Sequence, residues 1–379
     1  MNKTIVIFLS EYTTRQGGSA TVIELGTALS EVGYTVHYLE VSFRIANVIS
    51  HARQGILPSP FSKQGQRGAK AGVKQLISLM FRRQALQHIR TADFILVSYV
   101  VSPSFLANIR QHSQAKLILN HAASVDMNTP KMADYGTTYT DYCHQFARVL
   151  FQSAHDAHVS GLHNAVTLRP SVQPAKLATV DRVQMVLNPQ DINLVWVGTL
   201  QPRKRPDLAI DVLLHLLRFD ERYKLTLVGP TGAADYHEHI RQYATNAPPG
   251  RVALAGYRTD YLSFIAEADV VLQTSELEGV SRIMRESFSL AKLVATFRIQ
   301  GTSEICTDEN TLLADFGDTA ALASRIAGAM TDEAAAAQRR HNAHQTFLRN
   351  YSWSTYRERA RAIFAELAKV SRGYTNTPT

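Results

Sequence analysis

Cysteine is nearly absent. The 379 residues hold two, Cys143 and Cys306, far apart in the chain. Two thiols cannot build a disulfide framework or, by themselves, a structural zinc site, and their scarcity fits a reducing compartment. Long apolar runs are absent too: none approaches the roughly 20 residues that span a bilayer. The start, MNKTIVIFLSEY, has one Lys, no small-residue cleavage site, and Glu11 close behind the apolar run. It reads as a first β-strand and not as a signal peptide. No GxGxxG follows that strand, which argues against a nicotinamide oxidoreductase, and no GxxxxGK[ST] occurs anywhere. No repeat of solenoid period stands out. No clear Asp-x-Asp pair or His cluster offers a metal site.

One stretch also lacks acid altogether. Val41 to Ala92 has no Asp or Glu but nine basic residues: Arg44, Arg53, Lys63, Arg67, Lys70, Lys74, Arg82, Arg83 and Arg90. Residues 1–172 carry 16 Lys+Arg against 9 Asp+Glu, a net +7, while the rest carries 24 against 23. A solvated basic face is the plain reading. The sharper one is a surface for an anionic membrane or an anionic acceptor, with Arg67, Lys70, Lys74, Arg82 and Arg83 as its candidates. Within it, KQLISLMFRRQALQHIR is partly amphipathic, with Leu76, Leu79, Met80, Leu86 and Ile89 apolar. Nucleic acid is disfavoured, because the cations are not interleaved with stacking aromatics.

What is present is an alternation of strand-like and helical stretches. KTIVIFLS is a continuous apolar run, as a buried parallel strand should be. ATVIELGTALSEVG follows at helical spacing and ends on Gly33. YTVHYLEV, DFILVSYV, KLILNHA and VLFQSA read as further strands. A second unit restarts at NLVWVGTL and continues through PDLAIDVLLHLLRF, YKLTLVGP, HEHIRQYATNA, VALAGY, YLSFIAEA, VVLQTS, SRIMRESFSLA and LVATF. The length suits two domains. The pattern predicts an α/β class with two Rossmann-like domains facing across a cleft. The expected boundaries are 1–172, a linker at 173–191, and 192–345. A C-terminal helix at 346–370 and a flexible tail at 371–379 complete the chain.

In open α/β sheets, ligands sit outside the carboxyl ends of the strands. After the first strand, Gly17 and Gly18 precede a helix that Ser19 could cap, a backbone suited to an anion. His121 leaves the strand KLILN. Arg203, Lys204 and Arg205 follow NLVWVGTL just ahead of a helix beginning near Pro206, where cations and helix amides suit a diphosphate. Gly229 ends YKLTLVG, and Tyr257 and Arg258 follow VALAG. Then comes SELEGVSRIMRESFSL, with Glu278, Gly279 and Glu286. Two carboxylates could be a general acid/base pair or could hold sugar hydroxyls, and spacing alone does not decide.

The pattern resembles the family-four group of retaining, nucleotide-sugar-dependent glycosyltransferases with the GT-B fold, also described as glycosyl transferases group 1. The resemblance covers nearly the whole chain. It rests on the E-x7-E motif from Glu278 to Glu286, on VGTLQPRKRPDL and GYRTDYLSFIAEADVVL, and on Gly301 and Glu304 in IQGTSEI. GGSATVIELGTALSEVGYTVHYL, ILNHAAS, RPSV and YSWSTYRERARAIF extend it. It implies that Glu286 holds the ribose hydroxyls. Glu278 and the amides of Gly279, Val280 and Ser281 would hold the transferred sugar and the diphosphate. Lys204 falls on the phosphate-binding lysine. Arg usually follows the glycine of that strand; here Thr199 follows Gly198, and Arg203 is the candidate substitute. His121 would sit beside the reacting carbon, and Gly18 would let its loop approach the diphosphate. Arg258 or its neighbours would line the base, and Gly229 belongs to the same donor-side loops. The run after the second Glu departs from the family pattern at Ala291 and Leu293, which are packing positions.

The resemblance further implies a metal-independent, retaining hexosyltransferase with no cofactor, and a last helix that returns to the first domain. The donor would be a UDP- or GDP-sugar. The acceptor would be a glycan or a lipid-linked molecule, in bacterial cell-surface polysaccharide or lipopolysaccharide synthesis. The expected place is the cytoplasm, or the inner face of the cytoplasmic membrane as a peripheral protein. The competing readings are a GT-B nucleotide-sugar epimerase and a catalytically silent sugar-nucleotide-binding protein.

Overall fold

The computed structural model describes residues 3–9, 17–41, 47–61, 69–98, 100–121, 132, 134–178, 180 and 187–369. The chain divides into two compact units, Met1–Arg169 with Tyr356–Thr379, and Pro170–Thr355.

The first unit holds a sheet of β1 (Thr4–Leu9), β2 (Thr35–Glu40), β3 (Ile56–Pro58), β4 (Phe94–Val97), β5 (Lys116–His121), β6 (Arg148–Phe151) and β7 (Ala165–Thr167). Their order is β3-β2-β1-β4-β5-β6-β7, and every pairing is parallel. Crossovers between parallel strands need helices, here α1 (Gly17–Glu31), α2 (Val48–Arg53), α3 (Ala69–Thr91), α4 (Pro103–His112), α5 (Tyr139–Cys143) and α6 (Ala154–Val159). One face of the sheet, with Val6, Phe8, Ile95, Val97, Leu117 and Leu119, packs on Ala85 and Ile89 of α3 and on Phe105, Leu106 and Ile109 of α4. The helix α3 therefore divides the apolar residues that its sequence grouped together. Ile89 is in the core and Leu86 lies partly buried against it, whereas Leu76, Leu79 and Met80 are exposed.

The second unit repeats the plan with β8 (Ile192–Val197), β9 (Tyr223–Val228), β10 (Val252–Gly256), β11 (Val270–Gln273), β12 (Leu293–Arg298) and β13 (Leu312–Asp315). The order is β10-β9-β8-β11-β12-β13, again with parallel pairs. Its helices are α7 (Pro174–Leu177), α8 (Pro206–Leu216), α9 (Ala234–Tyr243), α10 (Tyr261–Glu267), α11 (Arg282–Ser289), α12 (Thr319–Thr331) and α13 (Glu333–Asn350). Period-two alternation sorts the strand residues onto two buried faces. Leu194, Trp196, Val270, Leu272, Ala295 and Phe297 pack with α8 and α12. Val195, Val228, Val271, Val294 and Leu313 pack with α10, α11 and α13. The RPSV segment joins this unit: the Val172 amide donates to the Tyr351 carbonyl at 3.3 Å, and Val172 is buried in the second core.

The last helix, α14 (Trp353–Lys369), returns to the first unit from Tyr356 onward. Its Phe364 is fully buried and meets the Phe94 ring edge-on at 5.4 Å and the Tyr34 ring at 5.9 Å. Arg357 adds an ion pair to Glu31 of α1 at 2.9 Å.

Candidate active site

Strand order reverses between β8 and β11 in the second unit. Crossover connections leave on opposite sides there, so the loops at the two carboxyl ends diverge and leave room for a ligand. Both loops carry candidate residues, and backbone and side-chain bonds stitch them together.

After β8 the chain passes Gly198, Thr199 and Leu200 and makes a short 3-10 turn over Pro202–Lys204. Arg205 then adopts a left-handed backbone, φ 49°, and α8 begins at Pro206. A non-glycine residue pays for that conformation, and its neighbours fix it. The Thr274 hydroxyl, at the end of β11, donates to the Arg205 carbonyl at 2.6 Å. The Trp196 indole N–H donates to the same hydroxyl at 3.1 Å. The Glu276 amide donates to the Arg203 carbonyl at 3.0 Å, and the Arg203 guanidinium donates to the Leu277 carbonyl at 3.2 Å.

This scaffold separates the three consecutive cations. Lys204 forms an ion pair with the Glu278 carboxylate, whose same oxygen accepts the Ser275 hydroxyl at 2.8 Å. The two side chains are 20% and 10% exposed, so the pair is reachable yet largely desolvated. Arg203 is exposed beside it. Arg205 turns away and grips Asp207 of α8 through both carboxylate oxygens, at 2.7 to 3.1 Å. The structure thus brings Arg203 and Lys204 to the Glu278 loop and gives Arg205 a structural partner.

Close approach explains the glycines. A Cβ on Gly229 would lie 1.8 Å from the Gly198 carbonyl oxygen, so the loops after β8 and β9 touch through their backbones. A Cβ on Gly301 would lie 1.8 Å from the Glu278 carbonyl oxygen, so the loop after β12 backs the Glu278–Gly279 peptide. Gly279 itself is exposed, with nothing within 4 Å of an added Cβ. Val280 is buried in the core. Ser281 caps α11: its hydroxyl oxygen accepts the Met284 amide at 3.4 Å, and its O–H donates to the Gln273 Oε1 at 2.7 Å.

Glu286 lies in the second turn of α11 and is fully buried. A carboxylate so placed needs hydrogen-bond donors. The Tyr261 hydroxyl of α10 donates to its Oε1 at 2.8 Å. Burial, reinforced by that carboxylate, raises the Tyr261 pKa far above its ordinary value, so the phenol stays a donor. Arg285, also buried, donates to the Ser171 carbonyl. Arg258 is exposed, chelates Asp260 at 2.8 and 2.6 Å, and lies 5.2 Å from the Phe264 ring centre.

The first unit carries the other candidates. His121 is the last residue of β5 and only 3% exposed. Its ring packs 4.9 Å from Phe151 and edge-on to Tyr139 at 5.7 Å. Gly18 lies in the first turn of α1, which already begins at Gly17 and so places Ser19 inside the helix instead of at its cap. Lys74 is half-buried on α3, and Arg82 and Arg83 are exposed. Lys70 lies in the first turn of α3, and Arg67 lies outside the described residues.

Tyr261, Ser275, Thr274 and Arg285 were not among the sequence candidates. Ser275 had a local signal, three positions before Glu278 in one strand-end loop. Tyr261 had none, because its partner is 25 positions away. Among the described residues no group of three or more His, Cys, Asp or Glu side chains is placed to hold a metal ion.

Residues 191–332 match the family described as Glycosyl transferases group 1. The match takes in β8 to α12 and hence every donor-side candidate except Gly18. A lipopolysaccharide core biosynthesis glycosyltransferase, LpsE of Rhizobium meliloti, is 27% identical over 123 residues, 32% of this chain. The aligned part is 36% of that relative's length. Among solved structures, HepE of Anabaena in complex with UDP superposes with a TM-score of 0.74 at 15% identity, covering 97% of this chain and 100% of that one. A glycosyltransferase from Rickettsia africae gives 0.71 at 16% identity, covering 98% and 100%. WaaG, a glycosyltransferase involved in lipopolysaccharide biosynthesis, gives 0.64 at 14% identity, covering 95% and 99%. The fold is the GT-B fold that these structures share.

Proposed function

We propose that this chain, whose second unit carries a glycosyl transferases group 1 domain, moves a sugar from a nucleotide-diphosphate sugar to a glycan or lipid-linked acceptor. One observation carries the reading: the Lys204–Glu278 pair, beside Arg203, at the reversal point of strand order and inside the matched segment. HepE of Anabaena has been solved with UDP and glucose, which favours a UDP-sugar over a GDP-sugar as donor.

The chemistry follows from charge. Cleaving the sugar–diphosphate bond builds negative charge on the leaving phosphate and oxocarbenium character on the sugar. Lys204, Arg203 and the amides at the start of α11 meet the phosphate charge, and they need no reorganisation to do so. Glu278 positions the transferred sugar and holds Lys204 in place. Glu286, oriented by Tyr261, accepts from the ribose hydroxyls. Gly198, Thr199 and Gly229 line the diphosphate side, and Arg258 the base. His121 and Gly18 keep the roles that the resemblance gives them. The two glutamates then act as positioning groups. The leaving phosphate takes the acceptor proton on the face where the sugar is delivered, so the anomeric configuration is retained and no metal is required.

The LpsE match and the WaaG fold point to bacterial surface polysaccharide or lipopolysaccharide synthesis. The proposed setting is the cytoplasm and the inner face of its membrane. The test is to incubate the protein with UDP-sugars and bacterial lipid or lipopolysaccharide acceptors, in the presence of a chelator, and to follow UDP release and product anomer. Acceptor-dependent UDP release with an α-linked product from an α-linked donor supports the reading. A changed sugar nucleotide formed without acceptor would mark an epimerase. Binding without turnover of any donor would mark a silent member.

A further inference from the structure

Three polar residues follow one another at the end of β11, and all are buried. Gln273, Thr274 and Ser275 are 6%, 0% and 3% exposed. Buried polar groups need partners, and each of these finds one in a different part of the donor-side edge. Gln273 accepts from Ser281 at the start of α11, Ser275 donates to the Glu278 carboxylate, and Thr274 reaches across to the loop after β8. The first two serve the segment that follows their own strand. Of the three, only Thr274 ties β11 to the segment that carries Lys204.

Its bonds fix the direction of its one proton. The oxygen accepts the Trp196 indole N–H at 3.1 Å, so the O–H points the other way, to the Arg205 carbonyl at 2.6 Å, with the Lys204 carbonyl 3.3 Å off. Those two carbonyls belong to the peptides on either side of the Arg205 Cα, where φ is 49° and ψ 51°. Few non-glycine residues adopt that conformation. It is also what parts the neighbouring cations: Lys204 faces Glu278 while Arg205 holds Asp207. Without the hydroxyl the Arg205 carbonyl loses this donor, the backbone is free to leave the left-handed region, and the peptide that carries Lys204 turns with it.

We propose that Thr274 is a positioning residue. Through the Arg205 backbone its hydroxyl sets where the Lys204 ammonium stands against Glu278, and so how strongly this edge takes a diphosphate. Thr274 itself touches no ligand. The role rests on the nucleotide-diphosphate reading of this edge.

The test compares Kd for UDP and for uridine, which has no phosphate for Lys204 to meet, on wild type, Thr274→Val and Thr274→Ser. Calorimetry gives UDP, and competition against UDP gives uridine. Thr274→Val should weaken UDP about tenfold or more, the value of one misplaced charge-assisted hydrogen bond, and leave uridine unchanged. Thr274→Ser keeps the O–H and should restore UDP binding. A merely structural role would weaken both ligands alike. If Thr274 acts through Lys204, Thr274→Val combined with Lys204→Met costs no more UDP affinity than Lys204→Met alone. Thr274→Ala takes the place of Thr274→Val should the valine protein not fold. Additive losses would overturn the proposal, as would equal loss of uridine affinity, or a valine variant that binds UDP as the wild type does. A wild type that binds no UDP would overturn the donor-site reading, and this role with it.

Discussion

Gly301 tests whether the loop after β12 positions Glu278. An alanine there would place its Cβ 1.8 Å from the Glu278 carbonyl oxygen, 2.4 Å from its carbon and 2.8 Å from the Gly279 oxygen. These atoms are backbone, so no side chain can swing aside. Reaching even 3.0 Å requires the two loops to part by about 1.2 Å. Such overpacking costs about 1–3 kcal/mol, which for a unit of this size lowers the melting temperature by roughly 2–12 °C. The same displacement pulls the Glu278 carboxylate from its place against Lys204 and Ser275. A misplacement near 1 Å can lower turnover about a hundredfold. Gly279→Ala is the control, because an added methyl meets nothing within 4 Å. Its stability should stay within about 0.5 kcal/mol of wild type. Melting by scanning fluorimetry and turnover of a UDP-sugar would be measured for both variants. A Gly301→Ala protein with wild-type melting and turnover refutes the reasoning. So does a Gly279→Ala protein less stable than Gly301→Ala.

Four further outcomes follow from the same structure. Lys204→Met should lower kcat/KM for the donor about 100- to 1,000-fold, the usual cost of losing one preorganised group on developing charge; steady-state kinetics check it. Tyr261→Phe removes a donor to buried Glu286 and should cost about 1.5–3 kcal/mol of stability, seen as a lower denaturation midpoint, together with weaker UDP binding by calorimetry. Phe364→Ala empties a fully buried site between Tyr34 and Phe94 and should destabilise the first unit by about 3–5 kcal/mol, measured by urea unfolding. His37 and His88 stack with ring centres 3.7 Å apart, and burial holds both pKa values below the ordinary imidazole value, His37 also through His88. The unfolded chain therefore takes up these protons first. Stability is full above about pH 6.5 and falls as pH drops below it; urea midpoints across that range should show the fall, and His88→Gln should flatten it.

The sequence revealed most of the architecture because buried parallel strands are continuous apolar runs. KTIVIFLS, NLVWV and VVLQ stand out in any window, and the glycines and polar residues after them mark the edge where ligands bind. Strands β3, β7 and β13 are three or four residues long and leave no periodic signal. At the site, local spacing exposed Lys204, Glu278 and Glu286 but not their partners. That Arg205 serves α8 instead of the ligand edge depends on Asp207, two positions on, and on the hydroxyl of Thr274 from another strand. That Glu286 is buried depends on α10 and α13 packing around α11. The apolar residues of α3 looked like one amphipathic set; only tertiary packing separates Ile89, which faces the core, from Leu76 and Met80, which do not. Long-range contacts decide such matters, and periodicity cannot see them.

The proposed transfer requires the β8–β11 edge of the second unit to bind a nucleotide diphosphate. Thermal shift with UDP, GDP and ADP, on wild type and on Glu286→Ala, tests it most directly. At 100 times its dissociation constant a ligand stabilises by about 2.7 kcal/mol, or roughly 5–11 °C for a unit of this size. That shift is expected with UDP for the wild type, and a much smaller shift for Glu286→Ala, each against its own ligand-free melting point. No shift with any of the three nucleotides, or an equal shift in the variant, would contradict it.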